Sequence, residues 1–383
     1  MDSPGPEKPR AEEARMEEAR TEEPTRSQAP LPPVEPLRSV AEMTPGWCSA
    51  ALSRRLGGAR VTGVTTAAVG TGQMADTYRL HLDYSPAGAG PATVIAKLAA
   101  ASPASRTAAK VTRAYEVEAR FYRHLAPTLP VRSPRCYLSR YDEPSGAFTL
   151  LLEDAVDGHV ADQVTGCGPE EAERAVDQLA ALHGPMWGDP ALDSLAWLPR
   201  HDGPDAAWMA SLAQRIYPRF LRRFGDRLDA EVVDLLEFFV PRVERYLRAR
   251  PGPRTVVHGD FRADNLVVGT GRITVLDWQT AAHEPAATDL AYFLGGSVEP
   301  DRRRAIEGAV LRRYIRALRG YGVELSFEDC WRDYRRYAFG GLLTSLVASA
   351  LVVRTDRGDG LFATMANRHG MHAIDLDAAS FLR

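Results

Sequence analysis

The stretch that most limits what this chain can fold into is residues 255–278, TVVHGDFRADNLVVGTGRITVLDW. Three short runs rich in β-branched residues, Thr255 to Val257, Leu266 to Val268 and Ile273 to Leu276, read as strands. Gly269 and Gly271 separate the last two, which is the punctuation of a hairpin. Between the first and second runs lies the polar loop His258-Gly259-Asp260-Phe261-Arg262-Ala263-Asp264-Asn265, and Asp277 stands where the third run ends. A hairpin with ordinary polar turns has no need of Asp, Asn and Asp at these strand ends.

Phosphoryl transfer to a hydroxyl does need such groups. One group must orient the hydroxyl and take its proton, and cations must offset the phosphate charge. Mg²⁺ prefers hard oxygen ligands, commonly one or two carboxylates completed by phosphate and water. Asp260 suits the base, and Asn265 with Asp277 suits the metal. The segment resembles the catalytic stretch of the aminoglycoside phosphotransferase, choline kinase and ecdysteroid-kinase-like (CHK kinase-like) group, H-G-D-x-x-x-x-N followed by a strand-borne Asp. The spacing is also similar to the H-R-D-x-x-x-x-N and D-F-G segments of protein kinases, with Gly259 for Arg and Trp278-Gln279 for Phe-Gly.

Upstream, Val61 to Val69 and Asp76 to Tyr84 read as two strands around the turn Gly70-Thr71-Gly72-Gln73-Met74-Ala75. In the second, Tyr78, Leu80, Leu82 and Tyr84 alternate with polar residues, the period of a half-buried strand. A glycine turn between antiparallel strands is neither a dinucleotide fingerprint nor a Walker loop, which both run into a helix. By itself it is an ordinary hairpin. The resemblance makes it a phosphate-covering hairpin, with Gly70 and Gly72 at the nucleotide and Ala75 in place of a third glycine.

The next strand, Ala92 to Leu98, is apolar but for Lys97. Arginine has displaced lysine almost everywhere, leaving only Lys8, Lys97 and Lys110. A chain so biased keeps lysine mainly where a compact ammonium on a flexible stem is wanted, so Lys97 is read as a phosphate ligand rather than a strand-edge residue snorkelling to water. Arg106 to Ala126 reads as one helix. Glu116 and Glu118 both qualify to steady Lys97, and the resemblance, a Glu three residues before Phe121-Tyr122, favours Glu118. Strands at Arg135 to Tyr141 and Phe148 to Leu152 follow. The resemblance puts the hinge just after them, so Glu153 and Ala155 are assigned to the adenine by chain order.

Beyond 155 the pattern turns helical: Pro169 to Trp187, Ala206 to Phe224, Ala230 to Arg248, Leu290 to Gly295, Asp301 to Gly320, Ser326 to Val353 and Thr364 to Leu382. His183 lies on the apolar face of its helix and is read as structural. Asp289 is expected to cap the helix that follows it and, by resemblance, to brace the catalytic loop. The arginines at 302–304, 312, 313, 316, 319, 332, 335 and 336 are read as solvated helix faces. Their abundance sits poorly with a polycationic aminoglycoside as acceptor. The loop Arg354 to Asp359 is assigned to the acceptor pocket.

The resulting expectation is an α+β, protein-kinase-like two-lobed fold. Residues 1–38, rich in Glu, Pro and Arg with few large apolar residues, form a disordered tail. Residues 39–154 form the nucleotide-binding lobe, an antiparallel sheet plus a helix. Residues 155–383 form a larger, mostly helical lobe with the catalytic loop and acceptor site. The expected activity is transfer of the γ-phosphoryl group of ATP, with Mg²⁺, to a hydroxyl of a small molecule. Only a short interval separates Asp277 from Asp289 and no A-P-E follows, which leaves no peptide platform. Two alternatives stay open: a pseudokinase that binds nucleotide without catalysis, and a transferase with a macromolecular acceptor or another donor. The presence of every expected catalytic residue counts against the first.

A net charge of −3 gives no support for nucleic-acid binding. The most apolar run, Phe339 to Val353, is too short to span a bilayer, so no membrane association is expected. Four cysteines without metal-ligand spacing point to a reduced compartment. The N-terminus carries no signal-peptide core. A cytoplasmic protein is expected.

Overall fold

The structure is a computed structural model, and it describes residues 34–70, 74–201, 204–351 and 354–383. Most of the expected tail, and Gly72 of the glycine turn, lie outside these residues.

Two short helices, α1 (Pro45–Ala51) and α2 (Ser53–Leu56), lead into the first strand. Thr44 caps α1 by accepting from the Trp47 amide, with Pro45 at the first helical position. A five-stranded antiparallel sheet follows, built from β1 (Arg60–Ala68), β2 (Ala75–Ser85), β3 (Thr93–Ala99), β4 (Cys136–Asp142) and β5 (Ala147–Glu153). The strands lie in the order β1-β2-β3-β5-β4. On β3 the period of two sends Val94, Ala96 and Leu98 to one buried face. Lys97 therefore shares the other face with Ile95, which packs against the main core.

The single helix expected between β3 and β4 is broken. α3 (Pro103–Val111) stops at Thr112, whose hydroxyl bonds the Ala108 carbonyl four residues back, and Arg113 takes a left-handed φ of 57°. α4 (Ala114–Arg120) then starts in a new direction and runs on into a wider turn over Phe121–Leu125. Arg113 is held in place by Glu116 and by the Ala196 carbonyl. No glycine or proline marks this break, and one of the contacts at Arg113, to the Ala196 carbonyl, comes from far along the chain.

The second part of the chain begins with β6 (Gly158–Val160) and α5 (Pro169–His183). The helices α6 (Pro204–Phe224), α7 (Ala230–Phe239) and α8 (Val243–Arg248) follow. The last two were expected as one helix and are parted at Val240–Arg242, where Pro241 lacks the amide that continuation requires. The stretch around residues 255–278 supplies β7 (Arg254–Val257), β8 (Leu266–Gly269) and β9 (Arg272–Val275). β8 and β9 form the expected hairpin, which β6 widens to three strands in the order β6-β8-β9. β7 pairs instead with a strand not expected from the sequence, β10 (Ala282–Pro285).

The remainder is α9 (Ala287–Ser297), α10 (Pro300–Arg319), α11 (Phe327–Arg336), α12 (Phe339–Leu351) and α13 (Asp356–Asp375). The run expected as one helix from Ser326 is therefore two. The assigned acceptor loop is mostly helix: Thr355 caps α13, and Asp359 in its first turn binds Arg223 and Arg354. Arg303 departs from the solvated-face reading. It is fully buried, with its guanidinium on Asp375 and beside Glu307. Residues 35–383 cluster as one unit. No helix among the described residues is long and apolar enough to cross a membrane.

Candidate active site

The antiparallel sheet and the β8–β9 hairpin bring their charged residues to one place. Lys97 Nζ donates to both oxygens of Glu118, at 2.6 and 2.8 Å, and to Asp277 Oδ1 at 2.9 Å. Glu118 is therefore the partner of Lys97. Glu116 pairs with Arg113 and Arg120 instead. Burial by itself would discourage a charge on Lys97, but the Asp277 and Glu118 carboxylates more than reverse this and raise its pKa. For Asp277 burial likewise pushes up, and the Lys97 ammonium pulls the carboxyl below its ordinary value. Glu118 is pushed up by burial and drawn down by Lys97. The trio is an ammonium shared by two carboxylates, one sealed and one open: the Glu118 side chain is 2% exposed and that of Asp277 is 30% exposed.

Asp277 has a φ of 63°, unusual for a residue with a side chain. A conformation of this kind costs about 1–3 kcal/mol and persists only where surroundings enforce it. Here the enforcers flank it. Trp278 is fully buried and stacks on Phe121 at 3.9 Å between centroids, and the Gln279 amide donates to Asp277 Oδ2 at 3.1 Å. Phe121 directly follows α4, so the helix carrying Glu118 and the strand end carrying Asp277 are packed together.

The loop between β7 and β8 is bolted to the same strand end. Its buried His258 donates from Nε2 to the Leu276 carbonyl at 2.8 Å and accepts the Asp260 amide on Nδ1 at 3.2 Å, which fixes a neutral tautomer. Gly259 has a φ of 79°, and a Cβ there would lie 2.3 Å from the Thr280 carbonyl oxygen, so only glycine fits. The next side chain, Asp260, accepts from Asn265 Nδ2 at 3.0 Å and Arg262 Nε at 3.1 Å on Oδ2, and from the Tyr292 hydroxyl at 2.7 Å on Oδ1. Asn265 Nδ2 also bonds the Asp260 carbonyl, so the amide turns its nitrogen to Asp260 and its oxygen away.

A second carboxylate holds the loop from beneath. Asp289 accepts the His258 amide at 2.6 Å and the Gly259 amide at 2.9 Å, and lies 3.3 Å from His183 Nε2. Burial by itself would raise this carboxyl, and the donors around it, His183 first, hold it below its ordinary value. Asp289 lies inside α9, where Ala286 is the N-cap, so the expected cap is corrected: the carboxylate braces the loop rather than its own helix. His183 is structural as read, closed off by Asp289 and the Tyr314 hydroxyl.

The hinge positions are less telling. Glu153 ends β5 and accepts the Arg135 amide at 3.2 Å, and Ala155 lies in the irregular link to β6. Arg79 of β2 grips Asp154 between them with two hydrogen bonds, at 2.6 and 3.1 Å. Gly70 has a φ of 72°, which suits the expected glycine turn.

The model of the phosphotransferase enzyme family matches residues 66–338, a span that runs from β1 to beyond α11 and takes in the whole arrangement above. The chain belongs to the phosphotransferase enzyme family. Such an enzyme, a kinase, passes a phosphoryl group to an alcohol acceptor. No curated protein matches the sequence. Among solved structures, a protein from Ralstonia eutropha JMP134 assigned to the aminoglycoside phosphotransferases is 18% identical, with a TM-score of 0.50 over 86% of this chain and 97% of that one. Choline kinase from Cryptosporidium parvum Iowa II is 11% identical, with a TM-score of 0.51 over 82% of this chain and 89% of that one. These likenesses show the fold, a protein-kinase-like α+β arrangement of sheet and helices, as expected.

Sequence reading did not single out three neighbours of the phosphotransferase site. Tyr292 and Arg262 both touch Asp260. Gln163, buried, donates its backbone N–H to Asp264 Oδ1 and accepts the Ala263 N–H on its side-chain oxygen. Only a hydroxyl within the otherwise apolar run Leu290–Gly295 hinted at Tyr292.

The oxygens of Asn265 and Asp277 fit Mg²⁺, which favours few carboxylates and completes its shell with phosphate and water. Among the described residues no group of three or more His, Cys, Asp or Glu could hold a metal by itself.

Proposed function

We propose that the chain is an ATP-dependent kinase of a small hydroxylated molecule, with Asp260 as base, Asn265 and Asp277 as metal ligands, and Lys97, steadied by Glu118, as phosphate anchor. The observation that carries this is the Lys97 ammonium seated between Glu118 and Asp277. An ammonium already bound to an open carboxylate can trade that contact for phosphate oxygens when nucleotide enters. The carboxylate it releases is then free for a cation. Mg²⁺, held by Asn265 and Asp277, would neutralise charge on the phosphates.

The rest of the step belongs to the chain's own residues. Asp260 accepts the proton of the acceptor hydroxyl as the oxygen–phosphorus bond forms. The bond between the γ-phosphorus and its bridging oxygen breaks, and that electron pair leaves with ADP. Lys97 holds the nucleotide phosphates in line as a point charge. The backbone around Glu153 and Ala155 is assigned to the adenine, and the Gly70–Gly72 turn covers the phosphates. By this reading residues 39–154 bind nucleotide, residues 155–383 bring the acceptor, and the enzyme works in the cytoplasm without nucleic-acid or membrane partners.

A small acceptor is favoured because the chain after Asp277 folds straight back as β10 against β7, with no long activation segment. The arginines give no further guide to its charge. Arg303, Arg304 and Arg313 are engaged by Asp375, Asp301, Glu173 and Asp177.

The test is Mg²⁺-dependent ATP consumption across a panel of hydroxylated metabolites, sterols and antibiotics, run with the parent protein and Asp260→Asn. Stimulated turnover in the parent, lower by about 10²- to 10⁴-fold in the variant, is the expected result. Equal turnover in both would remove Asp260 from the chemistry. ATP binding without any turnover would favour the pseudokinase.

A further inference from the structure

We infer that Tyr292 is a positioning residue for Asp260, fixing which lone pair of its carboxylate meets the acceptor hydroxyl. The inference rests on the role proposed for Asp260. A carboxylate offers about four lone-pair positions on its two oxygens. Arg262 Nε and Asn265 Nδ2 occupy Oδ2, and the Tyr292 hydroxyl occupies one position on Oδ1 at 2.7 Å. The position left over is on Oδ1, beside the phenol oxygen. The acceptor hydroxyl that binds there is a neighbour of Tyr292, and the plane of the carboxylate is set by donors on both its oxygens.

The mounting of Tyr292 supports this. It is buried in α9, on the helix that also carries Asp289, so loop brace and carboxylate clamp come from one rigid element. Behind its ring lies His369 of α13, with centroids 5.2 Å apart and planes at 31°. His369 is itself fully buried, and among the described residues neither of its ring nitrogens has a hydrogen-bond partner. Burial first, then Arg303 and Arg368, push its pKa down to about 3, so a neutral ring backs the phenol at any ordinary pH. Glycines 296 and 341 press on that ring so closely that a Cβ at either would clash. The Tyr292 hydroxyl, buried and facing Asp260, stays protonated and remains a donor.

The experiment is Tyr292→Phe, which keeps the ring on His369 and removes only the donor. The probe is Mg·ATP with water as acceptor, alongside crystal structures of parent and variant and their thermal unfolding. The expected result is a kcat about 10- to 100-fold lower, the size of one hydrogen bond to a charged group. KM for ATP stays within about 2-fold, and the Asp260 carboxylate is turned from its parent position. Tyr292→His, with a ring and an N–H, recovers part of the loss and serves if the Phe variant does not fold. An unchanged kcat, or a carboxylate in the parent orientation, overturns the inference. A parent that hydrolyses no ATP with water is judged as a kinase by the acceptor panel above, and the crystal comparison still decides the role of Tyr292.

Discussion

Asp277 and Asp289 are both aspartates that hold charge beside the loop between β7 and β8, yet their partners differ in kind. Asp289 is 1% exposed and faces two backbone amides and His183, groups the scaffold cannot move. Asp277 is 30% exposed and faces Lys97 and Gln279, side chains on rotatable stems. A carboxylate satisfied by backbone amides is permanent architecture. One satisfied by an ammonium and itself partly exposed would, on the function proposed above, be exchangeable and hand its partner to an incoming phosphate. On that reading the same residue type does two jobs, distinguished by its partners.

Substitutions that treat the two aspartates alike test that contrast. Asp277→Asn keeps shape but loses the charge for Lys97 and metal. Turnover should fall by about 10²- to 10³-fold, with a melting temperature near that of the parent, as read by steady-state kinetics and calorimetry. Asp289→Asn should do the reverse in emphasis, because an amide cannot accept from both backbone N–H groups and His183. A loss of about 1–3 kcal/mol in stability is expected, measured by urea unfolding, with any loss of activity following the loosened loop. If both variants lose activity at full stability, the distinction between brace and exchangeable ligand fails.

The smallest effect concerns another sealed carboxylate. Glu284 of β10 is buried, which would raise its pKa, but the His201 side chain, then Arg250 at 2.7 Å and the His201 backbone amide at 2.6 Å, bring it down to about 2. A depressed carboxyl contributes stability above its unfolded value, near 4.5, and loses it as pH falls toward 2. Glu284→Gln should therefore flatten the loss of stability on acidification below about pH 4.5, followed by urea midpoints at successive pH values. An unaltered slope would show that Glu284 does not carry that acid sensitivity.

The charged cluster of the proposed site was legible in sequence where polar residues stand at a strand end or loop without a packing reason. Asp260, Asn265, Asp277 and Lys97 have no packing reason to be where they are, so their identities speak. Glu118 needed the family pattern, since Glu116 lies on the same helix and only the fold separates them. Tyr292 and Arg303 were illegible because their meaning comes from what the fold lays against them. Tyr292 sits within an apolar run, and Arg303 among arginines that face water. The strands β6 and β10 escaped notice because Gly-His-Val and Ala-His-Glu-Pro carry too little β-branched character to signal a strand. The break at Arg113 carries no glycine or proline, and its contact with the Ala196 carbonyl is one to which a local pattern is blind.

The central claim is that Lys97 and Asp260 serve one nucleotide in different ways, one holding the phosphates and the other acting on the acceptor. Calorimetric titration of Mg·ATP into the parent, Lys97→Met and Asp260→Asn tests it most directly. Affinity should fall by about 10-fold or more in Lys97→Met, as for a lost charge-assisted contact, and stay within about 2-fold of the parent in Asp260→Asn. Equal binding by Lys97→Met and the parent would contradict the account.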